Sequence, residues 1–382
     1  MDFALSKQQQ ELQARARDAV ETVVRPMVAR LPRGQKFAVE DLRALYKALA
    51  PLGYLGSTIP RDAGGAGLSY VDYGLLLEAL APSPVLLAEV VPPRSIYYLG
   101  SPEQKARWLS KLLSGDMVAT AAITEPQAGS DIRNLQTTAL REGDRFRLNG
   151  RKRWIKLGGV ADAMTVLVVN DPEKGAAAGT SRLFIEREHS PWRHEEIDCV
   201  GMRNLSFAEI SFEDVAVPAD NLLGSPGAAS EAFLKAIEAS RALIALQAAG
   251  IARYALSLAV DYVGKRHAFG RPLARFQAIQ TVLADADAQV EASRLLSLQA
   301  LWRLDQGERC PREASLAKVF ATEAAVRACH AAMDCMGAHG LSEAAEAERC
   351  WRDARMLTVI DGTSGIQRLV AGRELVGASA FV

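Results

Sequence analysis

Along this 382-residue chain the spacing of apolar residues changes period twice, and that double change limits the fold more than any single motif. Up to Asp116 the apolar residues recur at three- and four-residue intervals. From there to Phe212 they fall in short β-type runs: Met117–Ile123, Leu135–Leu140, Arg145–Leu148, Arg151–Ile155, Met164–Val169, Arg182–Glu186 and Ile210–Phe212. After Pro226 helical spacing returns and persists. A helix-period pattern does not settle as a strand, nor the reverse. The chain therefore reads as mainly α with a central β domain. We expect a helical N-terminal domain over 1–116, an antiparallel, barrel-like β domain over 117–226, and a C-terminal four-helix bundle over 227–382.

Local signals set the boundaries. Ser6 with Gln9 forms a capping box, and Leu12, Ala16, Ala19, Val20, Val23, Val24 and Met27 follow at helical spacing. A second helix carries Leu42, Leu45 and Leu49 and stops near Pro51 and Gly53. Ser101-Pro102-Glu103-Gln104 opens another, which buries Trp108, Leu109, Leu112 and Leu113 and ends at Gly115. In the β block, turns are marked by Glu142-Gly143-Asp144 and by Asn149-Gly150, the strongest hairpin signal in the chain. Gly175–Gly179 reads as a surface loop. Beyond Pro226, helices are expected over 230–263, 275–306, 312–336, 343–357 and 364–376.

Bulk properties narrow the function. Lys+Arg and Asp+Glu number 45 each, without a basic stripe, so nucleic acid is not an expected ligand. The five cysteines have no paired spacing, which suits a reducing compartment, and no metal site is expected. The start of the chain lacks a basic n-region, and no apolar run approaches the length of a membrane span, so a cytoplasmic protein without membrane insertion is expected. Dinucleotide, P-loop and hydrolase-elbow signatures are absent.

Four segments could carry chemistry. Ile123-Thr124-Glu125-Pro126-Gln127-Ala128-Gly129-Ser130-Asp131 could aim hydroxyls and N–H groups at a polar ring edge, or could be a plain turn. Trp154, Ile155 and Lys156 follow a strand; the aromatic could wall a flat cofactor or simply fill a core. Arg266, Phe269, Gly270, Arg271 and Pro272, then Gln277, join two long helices. Arg266 suits a pyrophosphate, or equally the carbonyls of a helix end. Asp361-Gly362-Thr363 precedes the last helix. Asp361 could be a base, or Asp361 or Thr363 could be only an N-cap.

In this order and at these distances, T-E-P-x-A-G-S-D, R-x-x-F-G-x-P-L-x-x-x-Q and D-G-T-S-x-I-Q resemble the acyl-CoA dehydrogenase flavoprotein family. The likeness covers nearly the whole chain, including Gly100-Ser101-Pro102-Glu103-Gln104. It implies FAD bound between the β domain and the bundle. Ile123, Thr124, Ser130, Trp154, Ile155, Lys156 and Thr363 would meet the cofactor in one subunit. Arg266, Phe269, Gln277 and the Gly337 region would reach the ADP half from a neighbour, in a homotetramer. Ser130, Glu238, Arg241 and Gly362 would line the substrate side. Asp361 would take the α-proton and flavin N5 the β-hydride of an acyl-CoA or acyl-carrier-protein thioester. Electrons would pass to an electron-transfer flavoprotein.

The chain departs from the family pattern at several positions. Asp361 stands where Glu is usual, and Ser240 occupies the alternative base position. Lys156 replaces a Thr, Gly365 and Asp334 replace glutamines, and Ile360 replaces an aromatic residue. An oxidase resembling the nitroalkane oxidases, which use Asp as base, and a non-catalytic subunit of a mixed tetramer are the competing readings.

Overall fold

The computed structural model describes residues 4–32, 34–87, 90–174 and 179–378, with the side chains of 230–235 left aside. The first expected helix is three pieces in line. These are α1 (Lys7–Ala19), a π-helical turn (Val20–Val24) and α2 (Arg25–Ala29). Ser6 caps α1 reciprocally with Gln9. The π turn keeps Val20 and Val24 buried while adding a residue to the turn, something a 3.6-period reading does not register. Next come α3 (Val39–Leu49), α4 (Tyr70–Leu80), α5 (Pro92–Leu99) and α6 (Pro102–Ser114). As the sequence predicts, Ser101 and Gln104 box the start of α6 and left-handed Gly115 ends it.

The middle domain holds β1 (Ala119–Ala122), β2 (Thr138–Glu142), β3 (Arg145–Lys156), β4 (Ala163–Val169), β5 (Thr180–Glu186), β6 (Arg193–Glu196), β7 (Phe207–Pro218) and β8 (Leu222–Leu223). The order is β6-β7-β3-β2-β4-β5-β8, with β1 also on β4. Most neighbours run antiparallel, but β1 and β2 each run parallel to β4, so the sheet is mixed. Asn149-Gly150 is not a hairpin turn. It lies inside continuous β3, where the register against β7 shifts between Leu148 and Gly150. Gly150 sits at φ +139, and a Cβ there would come within 2.6 Å of the Thr137 Cα. Asn149 exchanges hydrogen bonds with Asp214 across the irregularity, at 2.9 and 2.8 Å. The dipeptide is a bulge signature here, and the turn into β3 is Gly143-Asp144. Of the expected 175–179 loop, residues 175–178 lie outside the described residues.

After the sheet come α7 (Ala229–Lys265), a small hairpin of β9 (His267–Ala268) and β10 (Arg271–Pro272), α8 (Gln277–Asp305), α9 (Pro311–Met336), α10 (Ala347–Leu357) and α11 (Ser364–Val376). Helix α9 turns a face of Ala314, Ala317, Ala321, Ala324, Ala325 and Ala328 inward. Small side chains let helices approach closely, as ridge-into-groove packing requires. One correction concerns Ala236–Lys265: it is long and apolar enough to cross a bilayer by length and composition. Most of its most apolar window is buried inside the protein. The sheet meets the N-terminal helices through Ala163 and Phe184, which pack on Ile96, Trp108, Leu109 and Leu112. Each such buried aliphatic or aromatic side chain contributes about 1.5–3 kcal/mol, so the sheet's placement against α5 and α6 is firmly set.

Candidate active site

The first two motifs are one unit. Arg153 N–H donates to the Thr124 carbonyl at 2.8 Å, tying the 123–131 loop to the end of β3. Beneath the loop, Lys152 Nζ donates to the Ile123 carbonyl at 2.9 Å and to Glu125 at 2.7 Å. Both ions are fully buried, at 0% and 1% side-chain exposure. Glu125 also accepts the N–H groups of Gln136 (2.7 Å) and Thr137 (3.0 Å). Burial pushes Glu125 up, but the Lys152 charge and its hydrogen bonds outweigh that and hold it below the usual range. Burial pulls the Lys152 ammonium down to about 8, against the attraction of Glu125. This pair escapes a sequence reading. Arg151-Lys152-Arg153 looks like a solvated basic run, and only strand alternation, which turns Lys152 inward, could have flagged it.

On that frame the loop presents half-buried Ile123 and Thr124 and exposed Ser130. Trp154 sits at φ +64 and is 51% exposed, whereas Ile155 is in the core of the sheet. The core reading therefore holds for Ile155 and not for Trp154. A large aromatic held out beside a hydroxyl-bearing loop suits one edge and wall of a flat ring system, and the residues present fit an isoalloxazine there.

The second part of the site is the corner before α11. Asp361 adopts φ +54 and Gly362 φ +101. A Cβ on Gly362 would come within 2.7 Å of Gln367 Nε2, so glycine is needed there. Gln367 Nε2 donates to the carbonyls of Asp361 (3.0 Å) and Gly362 (2.9 Å), and Lys318 Nζ donates to Gly362 at 2.7 Å. Arg241 Nε reaches the Asp361 carbonyl at 3.4 Å. The Ser240 hydroxyl donates to the Asp361 carboxylate. Thr363 is the N-cap of α11, accepting from Ile366 N–H, so the capping alternative holds for Thr363 and not for Asp361.

Three cations interact electrostatically with the carboxylate. Burial pulls Lys156 and Lys318 down to about 8, with Asp361 pushing each back up. Burial also lowers Arg241, opposed by Asp361 and Glu238. Lys156 thus links the β3 end to the Asp361 corner. Glu238, expected beside the substrate, is occupied elsewhere. It accepts from Arg309 Nε at 2.7 Å and from the Cys310 N–H at 3.1 Å, bracing the start of α9.

Arg266, Phe269, Gln277 and Gly337 stand apart from this corner. Arg266 ends α7, 25 residues beyond Arg241, or roughly 38 Å along a helix. It lines a cleft of ≈ 410 Å³ with Tyr262, Met336 and His339, next to Gly337. Phe269 and Gly270, at φ +51 and +78, form the two-residue turn between β9 and β10, and Phe269 is 94% exposed. Gln277 is exposed at the start of α8. In a single chain these four cannot reach the Asp361 corner.

Comparison with known proteins agrees over the full length. The family profiles of the acyl-CoA dehydrogenase N-terminal, middle and C-terminal domains match residues 6–116, 120–215 and 230–376. Probable acyl-CoA dehydrogenase YngJ of Bacillus subtilis is 34% identical, over 98% of this chain and 100% of that protein. Butyryl-CoA dehydrogenase of Megasphaera elsdenii superposes with a TM-score of 0.91 at 31% identity, covering 98% of this chain and 100% of the other. The FAD complex of PigA superposes with a TM-score of 0.91 at 26% identity, covering 98% and 99%.

Proposed function

The chain belongs to the acyl-CoA dehydrogenase family, FAD-dependent oxidoreductases acting on CH–CH groups, and from that premise we propose that it desaturates an acyl thioester with Asp361 as the base. The observation that carries the base assignment is the Asp361 corner. A carboxylate is held by Ser240 on a fixed left-handed turn and interacts electrostatically with Lys156 at the end of β3, while Arg241 and Lys318 hold the carbonyls of Asp361 and Gly362.

Each residue then has a task. The backbone N–H at 361, in a corner fixed by Gln367 and Lys318, polarises the thioester carbonyl, which makes the α-C–H acidic enough for a carboxylate. Asp361 takes that proton, and the electron pair left on the α-carbon forms the double bond as the β-hydride leaves. Bound FAD supplies the hydride acceptor. Thr124, Ser130, Trp154 and Lys156 would hold the ring end, and Thr363 would meet it from the start of α11. The Lys156 cation compensates the negative charge of Asp361, and beside a bound flavin it would favour negative charge on the ring.

Phe269 at 94% exposure, and an Arg266 cleft far from Asp361, support the reading that these residues with Gln277 and Gly337 serve a neighbouring subunit in a homotetramer. The thioester carrier is CoA or an acyl-carrier protein, and an electron-transfer flavoprotein is the electron acceptor in this reading.

The test is Asp361→Asn. The purified protein should stay yellow, and anaerobic bleaching by a panel of acyl thioesters should slow by about 10²–10⁴-fold, the usual worth of a general base. Bleaching at the wild-type rate would remove Asp361 from the mechanism. Oxygen consumption with a small nitroalkane, and none with any thioester, would favour the oxidase reading that Asp in place of Glu leaves open.

A further inference from the structure

Arg182 is a buried cation whose charge no acid among the described residues answers. It sits in β5, 6% exposed, and its hydrogen bond goes from Nη1 to the neutral hydroxyl of Ser95 in α5, at 3.0 Å. Among the described residues no carboxylate pairs with it. Other deeply buried cations are compensated: Lys152 has Glu125, Arg349 has Asp353 and Glu346, and Lys318 has Asp361 nearby. Burial alone pulls the Arg182 guanidinium down to about 10, with nothing opposing it. An uncompensated charge in the interior is costly, and a bound anion would relieve that cost.

Its position says which ligand. Arg182 pairs directly across strands with Leu167, so the two side chains share a sheet face. Leu167 packs with Ala128 and Ile123 of the 123–131 loop and with Ala229 at the start of α7. Ala229 in turn lies 11 residues before Ser240 on the same helix, about 16 Å at the rise of an α-helix. Arg182 therefore lies on the sheet face covered by α5, beside the cluster that joins the 123–131 loop to the start of α7.

We propose that Arg182, with Ser95, is an oxyanion subsite for the substrate beside the 123–131 loop. The guanidinium fork takes two oxygens of a phosphate or a carboxylate, and the Ser95 hydroxyl is free to turn from acceptor to donor. The inference rests on the thioester reading above. A thioester substrate offers two sources for the same chemistry: the phosphate of the pantetheine arm, or a carboxylate at the far end of the acyl group.

The experiment compares wild-type holoenzyme with Arg182→Gln and Arg182→Lys. The first readout is KM and kcat by flavin bleaching with an acyl-CoA, the same acyl group on phosphate-free pantetheine, and an acyl-CoA ending in a carboxylate. We expect Arg182→Gln to raise KM about tenfold or more with little change in kcat, because the contact is made equally in ground and transition states. Arg182→Lys should recover part of it. A penalty that vanishes on acyl-pantetheine assigns the phosphate, and one seen only with the carboxylate-ended chain assigns the acyl terminus. The second readout is Tm with inorganic phosphate or glutarate added. Wild type should gain and Arg182→Gln should not, while its Tm without anion stays at or above that of wild type. KM values within twofold for all three substrates, or a lowered Tm with an equal penalty on all three, would show a merely structural arginine. If wild type is bleached by no thioester, the desaturase reading fails by itself, and the anion-dependent Tm shift still decides the role of Arg182.

Discussion

Lys152→Met would break the buried pair beneath the flavin-side loop while keeping the length of the side chain. Glu125 would remain at 1% side-chain exposure, with the Gln136 and Thr137 N–H groups still donating and the ammonium gone. Removing one partner of a buried ion pair costs about 3–5 kcal/mol, because the survivor is left unpaired in a low dielectric. The two retained N–H donors place this case at the lower end, about 3 kcal/mol. At about 2–4 °C per kcal/mol for a cooperative unit of 150–250 residues, Tm should fall by roughly 6–12 °C. The Ile123 carbonyl loses its Lys152 donor too, so the loop should loosen and the FAD content of purified protein should drop. The assay is a thermal scan at fixed rate and protein concentration, with flavin absorbance relative to protein absorbance. Glu125→Gln/Lys152→Met should recover part of the loss, since it removes the unpaired charge, although the single amide oxygen can accept only one of the two N–H groups, which donate to different oxygens of Glu125. A single variant within about 1 °C of wild type would refute the premise that this pair carries the loop.

Ser240→Ala should leave FAD content intact and reduce kcat about 10- to 100-fold, the worth of one hydrogen bond to a charged group, and Ser240→Thr should restore most of it. An unchanged kcat in the alanine variant would mean that the hydroxyl does not position the base. Lys156 and Lys318, both pulled down to about 8, release protons on folding between about pH 8 and the ordinary lysine range near 10.4. The unfolded chain then binds more protons, so their contribution to stability grows as pH rises through that window and is lost as pH falls through 8. The Tm difference between wild type and Lys318→Met should accordingly change between pH 7.5 and 9.5 in favour of wild type; a constant difference would show that Lys318 is not desolvated. Gly150→Ala meets both a +139 φ and a 2.6 Å approach to Thr137, and should cost about 1–3 kcal/mol in chemical denaturation. A neutral result would mean that β3 does not need its irregularity at 150.

Much of this was legible because it is local. Caps at Ser6 and Ser101, the stop at Gly115 and the three-domain order depend on residues a few positions apart. What escaped depends on distance or on context. Asn149-Gly150 is a hairpin signal when read locally, but the Asp214 backbone 65 residues on turns it into a bulge. The Ser240–Asp361 contact joins positions 121 residues apart, so the serine read as a lost base position rather than as the residue that holds the base. Glu238 fits the family motif by position, yet its carboxylate is drawn away by Arg309 and the Cys310 N–H, neither of which belongs to that motif. Lys152 was masked by its arginine neighbours, because charge runs are usually solvated and only the strand's alternation says otherwise.

The left-handed backbone at residue 361 makes any substitution series there a measurement of two variables at once. Asp and Asn tolerate φ near +54 better than longer side chains do, since their short polar groups can bond locally. Changing Asp361 to Glu would lengthen the arm by a methylene and also tilt the peptide towards a conformation that the Gln367 and Lys318 anchors resist. Reach and posture are therefore inherited together at this corner. Only Asn changes the charge while leaving both of them alone.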